Sequence, residues 1–405
     1  MPWSRLTALA SHRGLGNVAP NRDLATYRGD IPERVGMNDQ ARPETAARRP
    51  LQMSREHFTF TGTAREYFGI WIVNVLLTII TLGVYSAWAK VRRQRYFYGN
   101  TWLAGANFDY HARPVRILIG RMIVLAVLVA YNLALQFQPI LGGLIAVALI
   151  FAAPWFIMRG LRFNARVTSY RNIRFDFTGK YGGGFLAYVL GVALIYGSGG
   201  ILAPLASQWM WGYTLDNLRY ADRPIKCEPR LEKLYGQWWL PALVLVGGVI
   251  LLVLVGGIVI SVFSGQLAVF MGIGEGRDPS PFAFLLAFYL AMIPFLILYA
   301  IAGLLYRAGT RNVALNETII DGRHALSSSI DRGRYAWISV TNLAATLFSL
   351  GLARPWAAIR MARYLASVTA LDTTGALDDY IGSVKDSGSA VGAEYIDVEG
   401  FDLGF

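Results

Sequence analysis

The chain has 405 residues, 54% of them hydrophobic and only 16% charged, where soluble domains carry about 25% charged residues. So few charges cannot cover a soluble surface of this size, which excludes an ordinary soluble enzyme and excludes disorder for the bulk of the chain. The single cysteine, Cys227, excludes an intramolecular disulfide or a Cys-based metal cluster, and a net charge of +12 beside apolar runs marks loops held on the cytoplasmic side rather than nucleic-acid binding.

Residues 1–56 read as an irregular tail with nine Arg and six acids. No 7–15-residue apolar stretch follows its first basic residues, so no signal peptide is expected. Next come short stretches that alternate aromatic and polar residues, Phe58-Thr-Phe-Thr-Gly62, Asn107-Phe-Asp-Tyr-His111 and Phe175-Asp-Phe-Thr-Gly179. Their period of two predicts short strands outside the bilayer, because an open sheet edge cannot sit in lipid.

Seven apolar segments alternate with basic loops. Val115–Leu135, Pro139–Met158, Trp238–Phe263 and Pro281–Tyr306 each supply the roughly 20 apolar residues a spanning helix needs. The other three are interrupted. Phe68–Ala89 carries Asn74, Thr78, Thr81 and Gly83; Tyr181–Tyr213 is broken at Gly197–Gly200 and Pro204; Ala336–Ile359 is broken at Gly351, Arg354 and Pro355. Residues 372–405 form an acidic tail with one Lys and eight acids.

The interrupted segments repeat one another. A shift of 268 residues places Asn74 on Asn342, Thr78 on Thr346, Leu82-Gly83 on Leu350-Gly351 and Trp88-Ala89 on Trp356-Ala357. It also places Arg92, Arg95, Tyr96, Thr101 and Leu103 on Arg360, Arg363, Tyr364, Thr369 and Leu371. The middle segment reads as a third copy, with Arg219-Tyr220 in the place of Arg95-Tyr96. The copies are expected at about 58–111, 175–224 and 318–371, inside a membrane domain 57–371.

Basic loops flank each interrupted segment on both sides, whereas the loops Gln136–Gln138 and Ser264–Ser280 are not basic. A single crossing would put one basic flank on the wrong face. The expected fold is therefore an all-α polytopic membrane protein. Four full transmembrane helices form two hairpins, interleaved with three broken or re-entrant repeats and short cytoplasmic strands, with both termini cytoplasmic. The alternative is seven plain transmembrane helices.

These motifs carry a family likeness. Phe58-Thr-Phe-Thr-Gly62, Thr81-Leu-Gly-Val-Tyr-Ser-Ala-Trp-Ala89 and Arg92-x-x-Arg95-Tyr96 resemble the YjgN family, a bacterial membrane-protein group also called DUF898. Leu350-Gly-Leu-Ala-Arg-Pro-Trp-Ala357 and the Phe401-Asp-Leu-Gly-Phe405 terminus resemble the same family. The resemblance implies a bacterial inner-membrane location and brings no activity, substrate or catalytic residue with it.

Two groups of residues are candidates for function. Asn74, Thr78, Asn342, Thr346 and Arg354 are polar positions in apolar segments, where a buried amide must find a partner. They form a candidate intramembrane polar site or simply bond helix to helix. Trp88, Arg92, Arg95 and Tyr96, Arg219 and Tyr220, and Trp356, Arg360, Arg363 and Tyr364 pair interfacial aromatics with cations. They are candidates for anionic-lipid contact or for anchoring. No catalytic residue, metal site, cofactor or nucleic-acid partner is expected. The bilayer is the expected partner, and the chain reads as a transporter or channel for a small solute or ion, with a lipid-interacting or scaffolding protein as the alternative.

Overall fold

The computed structural model describes residues 53–271, 281–375, 377 and 379–384. One unit is built five times: a strand, two antiparallel helices, and a strand that returns. The first unit is β1 (Met53–His57), β2 (Thr59–Phe60), α1 (Ala64–Ile80), α2 (Ser86–Gly99) and β3 (Thr101–Leu103). The second is β4 (Ala106–Tyr110), α3 (Pro114–Phe137), α4 (Pro139–Arg166) and β5 (Thr168–Tyr170). The third is β6 (Ile173–Phe177), α5 (Tyr181–Phe185), a π-helical turn at Leu186–Leu190, α6 (Gly191–Gly197), α7 (Ala203–Asp216) and β7 (Leu218–Tyr220). The fourth is β8 (Arg223–Cys227), α8 (Leu231–Met271), α9 (Pro281–Asn316) and β9 (Thr318–Ile320). The fifth is β10 (His324–Ser328), α10 (Arg332–Phe348), α11 (Arg354–Ser367) and β11 (Thr369–Thr374).

The strands form one antiparallel sheet in the order β1-β11-β10-β9-β8-β7-β6-β5-β4-β3-β2. The two ends of that order are joined by a single residue, Phe58. The strand 53–60 therefore pairs with β11 through its first half and with β3 through its second. Phe58 N–H donates to the Thr369 carbonyl at 3.1 Å and Thr61 N–H to the Asn100 carbonyl at 3.0 Å. The ring closes through the chain itself, which shortens the unpaired edges of an open sheet to half a strand each. This corrects the all-α expectation: the short strands are not accessory pieces but the hub of the fold. Period-two alternation marks three of these strands, but each strand runs only two to six residues and half of the neighbouring pairs are separated by a whole helix pair, so their pairing into one sheet escapes a sequence window.

Antiparallel order has a topological consequence. Each outgoing strand ends in a helix pair and the returning strands β3, β5, β7 and β9 end in tight turns, so every helical hairpin leaves from one rim and these four turns sit at the other. The turns Ala104-Gly105, Arg171-Asn172 and Asp321-Gly322 hold both residues at positive φ, the type I′ geometry that suits strand twist.

The lumen is packed. Leu103, Tyr170, Tyr220 and Leu371, each buried just before a turn or in the last strand, form one cluster with Phe108, Phe175 and Leu326. The Tyr170 hydroxyl donates to the Leu103 carbonyl at 2.7 Å, and the Tyr220 hydroxyl to the Tyr170 carbonyl at 3.0 Å, each reaching the preceding unit. The chain then returns. Ile381 and Val384 lie in the same cluster, with Leu377 and Tyr380 against it, and the Tyr380 ring is 4.4 Å from that of His324. The acidic tail expected from residue 372 therefore begins as a strand and a lumen-filling segment. At the other end β1 starts at Met53, ahead of the expected boundary at residue 57.

α3, α4, α8 and α9 are long and apolar enough to cross a membrane. The three interrupted segments are helix pairs rather than single helices. Residues 1–52 of the N-terminal tail, residues 272–280 of the expected Ser264–Ser280 loop and the Phe-ending terminus lie outside the described residues.

Candidate functional site

The three short hairpins share one construction. At each base a tyrosine hydroxyl closes onto the helix start 33 residues earlier: Tyr96 on Thr63, Tyr213 on Lys180 and Tyr364 on Asp331, at 3.0–3.1 Å. Tyr96 and Tyr364 also accept the N–H of Thr63 and Asp331. At each tip the chain reverses through two residues at positive φ, Leu82-Gly83, Gly199-Gly200 and Leu350-Gly351. The N–H of Gly83, Gly200 and Gly351 donates to Thr78, Ile195 and Thr346, each at 2.7 Å. These are helix C-caps with their carbonyls satisfied.

This geometry corrects the register of the repeat. The second copy aligns through Gly212-Tyr213, at a uniform shift of 117, and the third opens at β10 rather than at Thr318. Arg219 and Tyr220 are strand residues: Arg219 faces outward and Tyr220 faces the lumen, where burial raises its phenol above the usual range. The Thr318-to-Gly322 stretch mimics the repeat start because it is a strand followed by a glycine turn.

The structure gives the remaining candidates separate roles. Asn74 and Asn342 each bond within their own hairpin. Arg92 Nη1 donates to Asn74 Oδ1 at 3.4 Å, and Arg360 Nη1 donates to Asn342 Oδ1 at 3.1 Å and to Thr341 at 2.7 Å. Thr78 and Thr346 donate back to the carbonyls of Asn74 and Asn342. Trp88 stacks on Tyr85, and Arg354 is exposed at the start of α11. Arg95 and Arg363 clamp one unit to the next: Arg95 Nε donates to the Tyr110 carbonyl at 3.3 Å, and Arg363 Nη2 to the Gly62 carbonyl at 2.8 Å. Arg162, Gln208 and Asn312 do the same at the other three junctions, bonding the carbonyls of Phe177, Pro229 and Ile330. Sequence reading missed these three because their residue types differ.

Two clefts open beside short hairpins at equivalent positions, related by a shift of 151 residues. One, of about 530 Å³, lies along α7 and reaches the start of α8. Asp216, Cys227, Glu228 and Arg230 line it, with Gly183 and Gly212. Asp216 Oδ1 accepts the Cys227 N–H at 2.6 Å, and burial pushes the Cys227 thiol up to about 11. The other, of about 470 Å³, lies between α10 and α11 and reaches Ala64. Arg334, Arg360 and Arg363 line it together with Trp337, Trp356 and Ser367, and no Asp or Glu is among the lining residues. Arg334 and Trp337 were not legible as candidates, although Arg334-x-x-Trp337 faces Trp356-x-x-x-Arg360-x-x-Arg363 across one hairpin. Among the described residues no group of three His, Cys, Asp or Glu is placed to hold a metal ion.

A family model described as a bacterial protein of unknown function, DUF898, matches residues 55–398. The chain belongs to the YjgN (DUF898) family. Among its relatives, the inner membrane protein YjgN of Escherichia coli O157:H7 is 32% identical over 128 residues, 31% of this chain and 32% of that protein. YjgN of Salmonella typhimurium strain LT2 is 37% identical over 119 residues, 29% of this chain and 30% of that protein. The chain thus spans about a third of the length of the curated relatives it matches. No solved structure matches it. The inner-membrane names of these relatives agree with the four apolar helices of this YjgN-family chain.

Proposed function

We propose that this protein is a lipid-interacting scaffold of the bacterial inner membrane, multi-pass, without an enzymatic site. The closed sheet lies on the cytoplasmic face, the α3–α4 and α8–α9 hairpins span the bilayer, and the three short hairpins dip into the inner leaflet. The observation that carries this reading is the shape of the short hairpins. All leave the same rim as the spanning pairs, and their tips expose apolar side chains: Leu82 is 94% exposed, Phe348 91% and Leu350 95%. An exposed apolar tip needs a lipid or protein cover. At 17 residues α1 is about 25 Å long and at 14 residues α11 is about 21 Å, both short of a bilayer core of about 30 Å. Most basic residues between the helix pairs fall at the sheet side, which supports a cytoplasmic sheet.

Transport has less support. The interruptions that suggested a transporter or channel are hydrogen-bonded hairpin tips, so they leave few free groups to bind a solute, and the sheet's lumen is filled by aromatic and aliphatic side chains. Spin labels at Leu82→Cys, Ile201→Cys and Leu350→Cys, on a Cys227→Ser background in reconstituted membranes, test the reading. Depth measurement by relaxation agents is expected to place all three in the acyl region of one leaflet. Labels exposed to water, or a measured flux of ions or small solutes, would overturn it.

A further inference from the structure

The α10–α11 cleft holds three guanidinium groups whose hydrogen-bond partners are all neutral. Arg360 donates to Thr341 and Asn342, Arg363 to the Gly62 carbonyl, and the Arg334 guanidinium lies over the Tyr364 ring at 5.4 Å. The nearby carboxylate, Asp331, accepts the backbone N–H of Arg334 and caps α10 rather than pairing with a guanidinium. Three like charges gathered in one cleft repel one another and lack a counter-charge from its lining. Such an arrangement is stable in the presence of an anion, and planar guanidinium forks are suited to phosphate oxygens.

The cleft is also polarised along the hairpin. Arg334 opens α10 and Arg363 and Ser367 close α11, so these lie near the rim of the sheet. Trp337 stands almost one turn farther out on α10, and Trp356 lies near the outer end of α11. The two indoles are 66% and 45% exposed, and the Arg360 guanidinium sits over the Trp356 ring at 5.2 Å. Cations on the water side and indoles on the membrane side repeat the order of a phospholipid's own headgroup and acyl boundary.

The equivalent cleft on the third hairpin isolates the chemistry from the shape. There Gly183 takes the place of Arg334, Leu186 of Trp337, Leu205 of Trp356, Trp209 of Arg360 and Gly212 of Arg363, and Asp216 and Glu228 are added. The same fold thus builds one cationic and one acid-bearing cleft.

We propose that the α10–α11 cleft binds the phosphodiester headgroup of an anionic phospholipid of the inner leaflet, with Arg334, Arg360 and Arg363 on the phosphate and Trp337 and Trp356 at the acyl boundary. This rests on the short hairpins lying in that leaflet, which the depth measurement tests on its own. The experiment is native mass spectrometry of the detergent-purified full chain titrated with phosphatidylglycerol, phosphatidylcholine or inorganic phosphate. Arg334 is exposed and its side chain donates no hydrogen bond among the described residues, so Arg334→Gln probes binding with little risk to folding. The wild type is expected to retain phosphatidylglycerol over phosphatidylcholine, with about tenfold weaker binding in Arg334→Gln and recovery in Arg334→Lys. Glu228→Gln, in the acid-bearing cleft, is expected to change nothing. Equal retention of the two lipids, or an Arg334→Gln variant that binds like the wild type, would overturn the proposal. Displacement of phosphatidylglycerol by millimolar inorganic phosphate would overturn the lipid assignment.

Discussion

Truncating Ile381 to alanine removes a side chain that is 4% exposed in the lumen cluster, beside Val384 at 0%. Neighbouring residues of that cluster belong to a closed ring of strands, whose hydrogen bonds keep the wall from collapsing into the space. Under that constraint the loss of transfer energy is joined by a cavity term, and Ile→Ala in a core costs about 2–5 kcal/mol. The upper half of that range is expected here, with Val384→Ala lower because fewer carbons are lost. Ser383→Ala, at an exposed position of the same segment, is the control. The assay is thermal unfolding of the full chain in detergent at one fixed scan rate, followed by near-ultraviolet circular dichroism. The lumen tyrosines Tyr170, Tyr220 and Tyr380 report packing there directly. Ile381→Ala is expected to unfold several degrees earlier and to lose part of the aromatic signal. If it matches Ser383→Ala in both readouts, the returning segment does not fill the lumen and the reasoning fails.

Burial holds the His324 ring below its ordinary value, with Asp321 opposing and Arg323 assisting, while its Nδ1 accepts the Thr374 N–H at 3.3 Å. The unfolded chain therefore binds a proton at a higher pH than the folded one. Stability is full above about 6.5 and is lost as pH falls below that value, and His324→Gln is expected to flatten the slope below about pH 6.5. Identical slopes for the two proteins would contradict this. The Cys227 thiol, with a pKa pushed up to about 11 and 1% exposure, is expected to react with maleimide at pH 7.5 at least about 100-fold more slowly in folded protein than after denaturation. Gly83 and Gly351 both sit at φ +93°, so alanine at either is expected to cost about 1–2 kcal/mol in the same thermal assay, whereas Gly69→Ala inside α1, with open space around it, is expected to stabilise slightly.

Part of this fold can be read from the chain because side chains repeat where geometry demands them. Gly62 and Gly179 recur because a Cβ at either would fall within 3 Å of an aromatic ring and of the tyrosine hydroxyl that closes the hairpin base. The third copy has Ile330 there, packed against Tyr364 in its own cluster, so its true start carries no glycine signal. The tips announce themselves through Leu82-Gly83 and Leu350-Gly351, since a residue at positive φ narrows the choice. The closed sheet was not legible. Alternation marked three of its strands but not which strand pairs with which, and the ring closes through the backbone at Phe58, where no residue type is required. The kinship of the two spanning hairpins with the three short ones was hidden for a related reason. They share the strand starts Thr168 and Thr318, whose hydroxyls bond the carbonyl four residues back as those of Thr101 and Thr369 do, but apolar length masks everything between. Of the candidate site, Trp356, Arg360 and Arg363 were visible through their repeat, whereas Arg334 and Trp337 carry no repeat and become neighbours only when α10 folds back on α11.

All five helical hairpins are expected to leave one rim of a sheet lying on the cytoplasmic face. Single cysteines at exposed strand positions Arg174, Arg219 and Ile319, and at Gln138 between the two helices of the first spanning pair, test it most directly, again with Cys227→Ser. In right-side-out and inverted membrane vesicles, a membrane-impermeant maleimide is expected to label the three strand positions only from the cytoplasmic face and Gln138→Cys only from the opposite face. Labelling of any strand position from the outer face, or of Gln138→Cys from the same face as the strands, would contradict the account.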